Sequence, residues 1–186
     1  MKMMLSTVLL LGLAASAATA NTQSPYAGWQ ERDLKALSPQ EIDDLRAGRG
    51  MSLALAAELN GYPGPRHLLD LGDDLALNQA QRQAIGQLFA QMQGEAQRLG
   101  ADILRQEAAL DAAFGRGDLG EAELQRHLAD LAALRGELRF VHLRAHLAAK
   151  TLLSAAQVAH YNELRGYAGE PAPGHGDGHK HLPESR

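Results

Sequence analysis

Two copies of one short phrase frame the centre of the chain and constrain its fold more than any other feature. In each copy a leucine precedes a short polar residue, and a glutamine follows three positions later. This is the capping-box pattern of a helix start, in which the polar side chain accepts from a free amide and the glutamine reaches back to the cap. The first copy consists of Leu77, Asn78 and Gln81, and the second of Leu153, Ser154 and Gln157.

Between the two copies lie two long segments of helical periodicity, broken once at residues 115–118. Helix A is predicted from Gln79 to Phe114, and helix B from Asp118, read as its cap with Glu121, to about Lys150. Two apolar helix faces joined by a short break bury each other when the helices run antiparallel. The sequence therefore predicts an all-α fold centred on a long antiparallel helical hairpin, roughly 50 Å long.

The predicted seam has apolar residues at alternating steps of three and four, close to the repeat of a coiled coil. In helix A it consists of Ile85, Leu88, Phe89, Met92, Ala96, Leu99, Ile103, Leu110 and Phe114. In helix B it consists of Leu124, Leu128, Leu131, Leu134, Leu138, Val141, Ala145, Ala148 and Leu152. Small residues at Ala96, Gly100, Ala145 and Ala149 are expected to let backbones approach closely. Apolar residues outside the seam, including Leu104, Leu119 and Leu143, favour a further partner, either a second copy or a client.

Short helices are expected on both sides of the hairpin. Ser38 opens one with a third capping box, a second runs from Met51 to Leu59, and a last one from Ala155 to about Arg165. Residues 21–37 read as an irregular N-terminal segment and 38–168 as one helical domain. Residues 169–186 change to Gly, Pro, His and charge without periodicity, which predicts a disordered tail.

Residues 1–20 have the pattern of a secretory signal peptide. Lys2 gives a positive start, residues 8–15 are apolar, and Ala18-Thr19-Ala20 fits a small-x-small cleavage site. An uncleaved membrane anchor is the alternative, for which the apolar run is short. Since no other segment has the ~20 apolar residues of a span, we expect a periplasmic protein with no membrane span after cleavage.

Charge and cysteine content exclude several kinds of function. The chain carries 18 Lys and Arg against 22 Asp and Glu, and removal of Lys2 with the signal leaves 17 against 22. An acidic balance gives no support for nucleic-acid binding. Because the chain has no cysteine, thiolate metal ligands and cysteine nucleophiles are excluded. No nucleophile frame or phosphate-binding glycine loop is evident, so no enzymatic activity is expected.

The paired capping boxes in a cysteine-free chain with a signal peptide resemble the LTxxQ family of periplasmic proteins, over roughly residues 38–166. Its members include chaperones such as Spy and CpxP, the zinc-responsive ZraP, and heavy-metal sensors such as CnrX. Asn78 and Ser154 stand where Thr is usual, and both are good caps. The resemblance implies a cradle-shaped helical fold, a homodimer, and a role in envelope stress through metals or unfolded proteins.

His142 and His146 form the sharpest candidate site. Histidines at positions i and i+4 lie on one face of a helix, which suits two imidazoles on one Zn²⁺, Ni²⁺ or Cu²⁺ ion. A third ligand would come from Glu58, His67 or a second chain. The alternative is that His142 flanks the seam and His146 is solvated beside Arg139 and Arg144, whose charges oppose a metal ion.

The tail offers a second candidate site, with His175, His179 and His181 around Asp177. Three imidazoles and a carboxylate in a flexible segment can wrap a metal ion, and a solubilising tail with incidental histidines is the alternative.

The predicted function is heavy-metal binding or sensing without catalysis or an organic cofactor. The alternatives are an ATP-independent chaperone that holds unfolded periplasmic proteins, and an adaptor for an inner-membrane sensor kinase.

Overall fold

A computed structural model describes residues 23–168, and two kinds of prediction lie outside this range. The signal peptide at residues 1–20 and the tail at residues 169–186, with His175, His179 and His181, fall beyond it. The described residues are helical and contain no strand. The chain divides into two compact units between Arg32 and Asp33.

The described part of the first unit is a short aromatic turn. Gly28 adopts a left-handed conformation with φ 91° ahead of a single 3₁₀ turn, Trp29–Glu31. The Tyr26 and Trp29 rings meet edge to face, with centroids 5.1 Å apart. The Arg32 guanidinium lies 3.6 Å from the centre of the Trp29 ring, a distance suited to cation–π attraction.

The second unit is built on the predicted hairpin, flanked by four shorter helices. Its helices are α1 (Pro39–Ala47), α2 (Leu55–Glu58), α3 (Pro65–Asp70), α4 (Gln79–Arg116), α5 (Glu121–Thr151) and α6 (Ala155–Leu164). Helices α4 and α5 correspond to the predicted helices A and B, and they pack against each other more extensively than any other pair. Glu107 pairs with Arg135, and Glu95 with Arg144, each at 2.7 Å, as antiparallel helices require. The all-α hairpin prediction is confirmed. None of the helices within residues 23–168 combines the length and hydropathy needed to cross a bilayer.

Three details of the sequence-based prediction are wrong. Asp118 does not cap α5, because the cap is Gly120 without a side-chain hydrogen bond, and Asp118 instead pairs with Arg116 at 3.4 Å. Helix α2 is only four residues long, since Met51 and Ser52 both have positive φ and therefore interrupt it. The prediction also missed α3, which Pro65 begins at its first helical position.

The seam prediction holds in the body of the hairpin and fails at its tip. Met92, Ala96, Leu99, Ile103, Leu131, Leu138, Val141 and Ala145 are buried together with Leu37 and Leu45. Phe114 and Leu128 are 59 % and 50 % exposed, whereas Ala113 is buried. Contacts from α1 and the residues before it reach α4 between Gln93 and Asp111. The tip therefore lies beyond the stretch where a third element covers the hairpin.

Gly100 permits a close approach of α4 to α1 at Leu45. A Cβ atom at this position would lie 2.1 Å from the carbonyl oxygen of Leu45, which no side chain can do. The expected role of Gly100 as a small contact residue is correct, but the neighbour is α1 and not the other arm of the hairpin. The sequence pattern could not distinguish these two partners.

The two capping boxes bind each other as well as their own helices. Asn78 and Ser154 accept from the backbone amides of Gln81 and Gln157, and each glutamine side chain accepts from the N–H of its own cap. The Gln81 Nε2 atom donates to the carbonyl of Leu152 at 2.8 Å and to Gln157 Oε1 at 2.9 Å. Gln157 Nε2 donates in return to Leu75 and to Gln81 Oε1, at 3.3 and 3.2 Å. Both amides therefore use every donor and acceptor, and they join the starts of α4 and α6.

This linkage predicts that Gln81→Glu destabilises the fold although glutamate also closes a capping box. The carboxylate retains the bond to the Asn78 N–H but has no N–H to give Leu152 or Gln157. We expect a loss of about 2 kcal/mol or more in the free energy of unfolding, measured in urea. The matched control is Glu41→Gln in the box of Ser38, which makes no such link and should change stability by less than about 0.5 kcal/mol. Equal effects of the two substitutions would contradict the linkage.

Candidate functional site

A buried carboxylate, Glu58, organises the polar cluster, by which we mean Glu58, His67, His146, Tyr161, Arg165 and Tyr167. Glu58 ends α2 and is only 5 % exposed. Its neighbours come from α3, α5, α6 and the residues that follow α6. Four separate segments of the chain, counting α2 itself, therefore meet at one side chain.

The oxygens of Glu58 are surrounded by donors. Tyr161 donates its hydroxyl to Oε1 at 2.5 Å, and the Tyr167 hydroxyl donates to the same atom at 3.3 Å. His67 Nδ1 and Arg165 Nε lie 3.3 and 3.4 Å from Oε1. The backbone N–H of Gly64 donates to Oε2 at 3.3 Å. The carboxylate is thus neutralised and hydrogen-bonded, as burial of a charge requires.

These contacts set the protonation of the cluster. Burial by itself raises the pKa of Glu58, but hydrogen bonds from His67 and Tyr161 and the charges of His67 and His146 outweigh it and lower the pKa to about 2. Burial raises the pKa of the Tyr161 hydroxyl, and the hydrogen bond to Glu58 and the negative charge of Glu58 raise it further. Glu58 is therefore ionised and Tyr161 neutral at neutral pH.

His146 is fixed by one backbone contact. Its Nδ1 lies 2.7 Å from the carbonyl oxygen of Tyr62, and since a carbonyl only accepts, Nδ1 carries the proton. The same atom lies 3.8 Å from Glu58 Oε2. A Cβ atom on Gly64 would lie 3.0 Å from His146 Nε2, so the glycine gives the ring its space. His146 is 8 % exposed, which excludes the alternative of a solvated histidine.

His142, one turn before His146 on α5, is 3 % exposed. Its Nε2 atom is buried without a hydrogen-bond partner among residues 23–168. Burial, and then the neighbouring charge of His146, lowers the pKa of His142, so the imidazole is neutral at neutral pH. A neutral imidazole has one protonated nitrogen and one nitrogen with a free electron pair, and Nε2 of His142 supplies that pair when the proton is on Nδ1.

A cavity of about 220 Å³ brings the predicted histidines together. Its walls include His67, His142 and His146, together with the Met92 side chain. Arg49 and Arg66 also line it, and they pair with Asp44 and Asp70 respectively. Arg144, predicted to oppose a metal ion at this site, pairs with Glu95 and lies over the Phe140 ring.

The histidines form an incomplete set of metal donors. Within residues 23–168, no three or more His, Cys, Asp or Glu side chains are grouped closely enough to hold a metal ion. Two of the three predicted sources of a third ligand nevertheless adjoin His146, namely Glu58 and His67. Glu58 is engaged on both oxygens, whereas His67 uses Nδ1 toward Glu58 and leaves Nε2 uncommitted.

Sequence reasoning missed Tyr161, Arg165 and Tyr167. Only 4 % of the residues are aromatic, yet two of the four tyrosines lie within seven positions at the end of the described chain. That concentration, and a lone glutamate in the otherwise apolar stretch around α2, are the signals that could have found the cluster.

Comparison of the chain with protein-family models, curated proteins and solved structures gives no match. The resemblance to the LTxxQ family therefore stays a prediction.

From the pKa of Glu58 in the polar cluster we expect a specific loss of stability in acid. Because the pKa of Glu58 falls from 4.5 to about 2 on folding, its contribution is complete above pH 4.5 and disappears as the pH drops to about 2. The contribution is on the order of 3 kcal/mol. Glu58→Gln should lower stability at pH 7 and flatten this part of the pH profile, measured by urea unfolding between pH 7 and 2.5.

Tyr161→Phe should have an intermediate effect, since it removes the shortest hydrogen bond to Glu58 and keeps the ring. Its pH profile should lie between those of wild type and Glu58→Gln. A Glu58→Gln profile as steep as that of wild type would assign the acid sensitivity to other groups.

Proposed function

We propose that this protein is a non-enzymatic binder of a transition-metal ion, Zn²⁺, Ni²⁺ or Cu²⁺, which it holds through His142 and His146. The observation that carries the proposal is the buried Nε2 of His142, which has no hydrogen-bond partner in the described part of the chain, while His142 lines a cavity with two more histidines. A buried polar atom without a partner costs free energy. A metal ion would supply that partner.

The protonation of the two imidazoles suits this role. Metal ligation requires a deprotonated ring nitrogen, and the lowered pKa of His142 favours one at neutral pH. His146 donates Nδ1–H to a backbone carbonyl, the outer contact that metal-ligating histidines commonly make, and Nε2 remains free for an ion.

Our choice for a third ligand is His67. Its position on the same cavity and its uncommitted Nε2 favour it over Glu58, whose oxygens already accept from several donors. Imidazole suits Zn²⁺, Ni²⁺ and Cu²⁺ alike. An ion bound by His67 and His142 would join α3 to α5, which gives a physical basis for sensing.

The predicted signal peptide places this function in the periplasm, and the resemblance to the LTxxQ family suggests a role in envelope stress. Both assignments are part of the proposal. The tail histidines His175, His179 and His181 would form a second site, which is weaker if binding has to order the disordered tail that the sequence predicts.

Calorimetric titration with Zn²⁺, Ni²⁺ and Cu²⁺ tests the metal site. We expect saturable binding that weakens by at least roughly 10–100-fold in His142→Ala or His146→Ala, because each removes a ligand and the loss of an outer partner alone costs that much. At a free ion concentration 100 times Kd, binding should also stabilise the fold by about 2.7 kcal/mol.

The matched control is His127→Ala, which removes a histidine of α5 that lies near Glu123 and away from the cavity. It should leave the affinity unchanged. Substitution of His175, His179 and His181 by alanine should remove only the weaker site. Absence of saturable binding, or equal affinity in wild type and His142→Ala, would refute the proposal.

A second candidate function is the holding of unfolded proteins, and one observation favours it. Large apolar side chains on the hairpin are exposed among charged residues, with Phe114, Leu128, Phe140 and Leu147 each at least 50 % exposed. Exposed apolar groups of this size are suited to weak contacts with other proteins.

This function predicts that the protein, with metal chelated, suppresses the aggregation of a reduced, unfolded client. Phe114→Ser with Leu128→Ser should reduce the effect by removing apolar contact area, while light scattering reports aggregation. The two residues lie outside the buried seam, so the fold should persist. No suppression at a tenfold excess of wild-type protein would exclude the chaperone function.

A further inference from the structure

The cavity beside the histidines also carries two positive charges that the proposed metal site does not use. Arg49, just after α1, and Arg66, on α3, both line it. In the part of the chain that the structure describes, no aspartate or glutamate belongs to its wall. The two arginine side chains are 53 % and 66 % exposed, so they lie at the mouth of the cavity. Two separate segments thus bring a guanidinium group to one opening.

Each arginine already has a carboxylate partner, but only on one edge of its guanidinium group. Arg49 Nε lies 2.5 Å from Asp44 Oδ1. Arg66 Nε lies 3.1 Å from both carboxylate oxygens of Asp70. The terminal nitrogens of these two guanidinium groups make no hydrogen bond among residues 23–168. Because a guanidinium has five N–H donors, each arginine can bind a second acceptor without giving up its aspartate.

Much of the wall behind the mouth is apolar. Ala54 and Met92 are each 8 % exposed, and Pro65 is fully buried. Phe89 contributes an aromatic ring, whose centre lies 5.8 Å from the guanidinium carbon of Arg66. An apolar cavity with a few polar groups that converge at one side has the composition of a small-molecule site.

Charge and polarity together define the ligand class. The free edge of a guanidinium group matches the paired oxygens of a carboxylate or a phosphate, and it opposes a cation. Inorganic phosphate has no apolar surface to bury against the inner wall, whereas a carboxylate on a hydrocarbon body does. The ligand that fits both parts of the cavity is therefore an organic carboxylate.

The volume of the cavity limits the size of this ligand. A protein cavity of roughly 150 Å³ can hold benzene. The cavity beside the histidines measures about 220 Å³, which is enough for one aromatic ring or an aliphatic body of similar size. The carboxylate group itself would remain at the mouth.

We propose that this cavity binds a small organic carboxylate, with its oxygens between Arg49 and Arg66 and its apolar body against Phe89 and Met92. The proposal does not rest on the metal site, since it assigns no carboxylate contact to the histidines of the wall. The exposed mouth lets water and salt weaken the ion pairs, so the affinity should be modest and should fall as ionic strength rises.

Titration with benzoate in metal-free buffer tests the site, followed in proton–nitrogen correlation spectra of the full chain. We expect saturable shifts of the Gly50 and Met92 amides, with a Kd on the order of millimolar for a ligand of this size. Benzamide has the same shape without the charge and should bind at least about tenfold more weakly. Inorganic phosphate has the charge without the apolar body and should also bind more weakly.

Substitution of the arginines separates their role from simple filling of the cavity. Arg49→Gln and Arg66→Gln should each weaken benzoate binding about tenfold, because each removes a charged donor. Arg66→Lys keeps the charge but loses the forked geometry, so its affinity should lie between those of wild type and Arg66→Gln.

The matched control is Arg98→Gln. Arg98 pairs with an aspartate four positions later and is 66 % exposed, as Arg66 is, but it does not line the cavity. This substitution should change the benzoate affinity by less than roughly twofold. Far-UV circular dichroism should be the same for all these variants, since Arg49, Arg66 and Arg98 are surface residues.

Four results would overturn the proposal. They are an absence of saturable shifts with benzoate, equal affinity for benzamide, full affinity in both glutamine variants, and phosphate binding as tight as that of benzoate. Because these measurements are made without metal, a failed metal titration would leave them valid. A failed benzoate titration would likewise leave the metal proposal intact.

Discussion

The reciprocal hydrogen bonds of Gln81 and Gln157 are the constraint on which the arrangement of the second unit depends. Each side chain completes the cap of its own helix and donates to the other box and to a carbonyl from another segment. A primary amide has two donors and two acceptor sites, and both glutamines use all of them. Glutamate would serve as well in a capping box alone, so the amide is required by the connection between helices and not by the cap.

This connection also determines where the candidate site forms. Anchoring the start of α6 against α4 brings Tyr161 to Glu58, and the chain after α6 then adds Arg165 and Tyr167. Glu58 in turn receives a backbone N–H from the turn that carries Gly64 and approaches His146 of α5. The His67 and His146 imidazoles lie beside the ionised carboxylate, which has to be satisfied inside the protein. The proposed metal site depends in this sense on a buried charge that itself need not bind the metal.

Helix periodicity and caps were sufficient to predict the hairpin, the boxes at Ser38, Asn78 and Ser154, and the helical start of α6. They failed where local signals were ambiguous or incomplete. The pattern at Asp118 and Glu121 matches a capping box, yet the turn places Gly120 at the cap. Phe114 and Leu128 continue the apolar period, but exposure depends on whether a third element covers that position, and periodicity contains no such information.

The sequence alone determined where α1, α4 and α6 begin and that α4 pairs with α5, because caps, breaks and apolar period act over a few neighbouring residues. The sequence also showed that His142 and His146 lie on the same face of a helix. Only the tertiary structure decided that both are buried, that His67 shares their cavity, and that Glu58, Tyr161, Arg165 and Tyr167 meet. Glu58 and Tyr161 are 103 positions apart, and their contact depends on how several helices pack together, which no local pattern specifies.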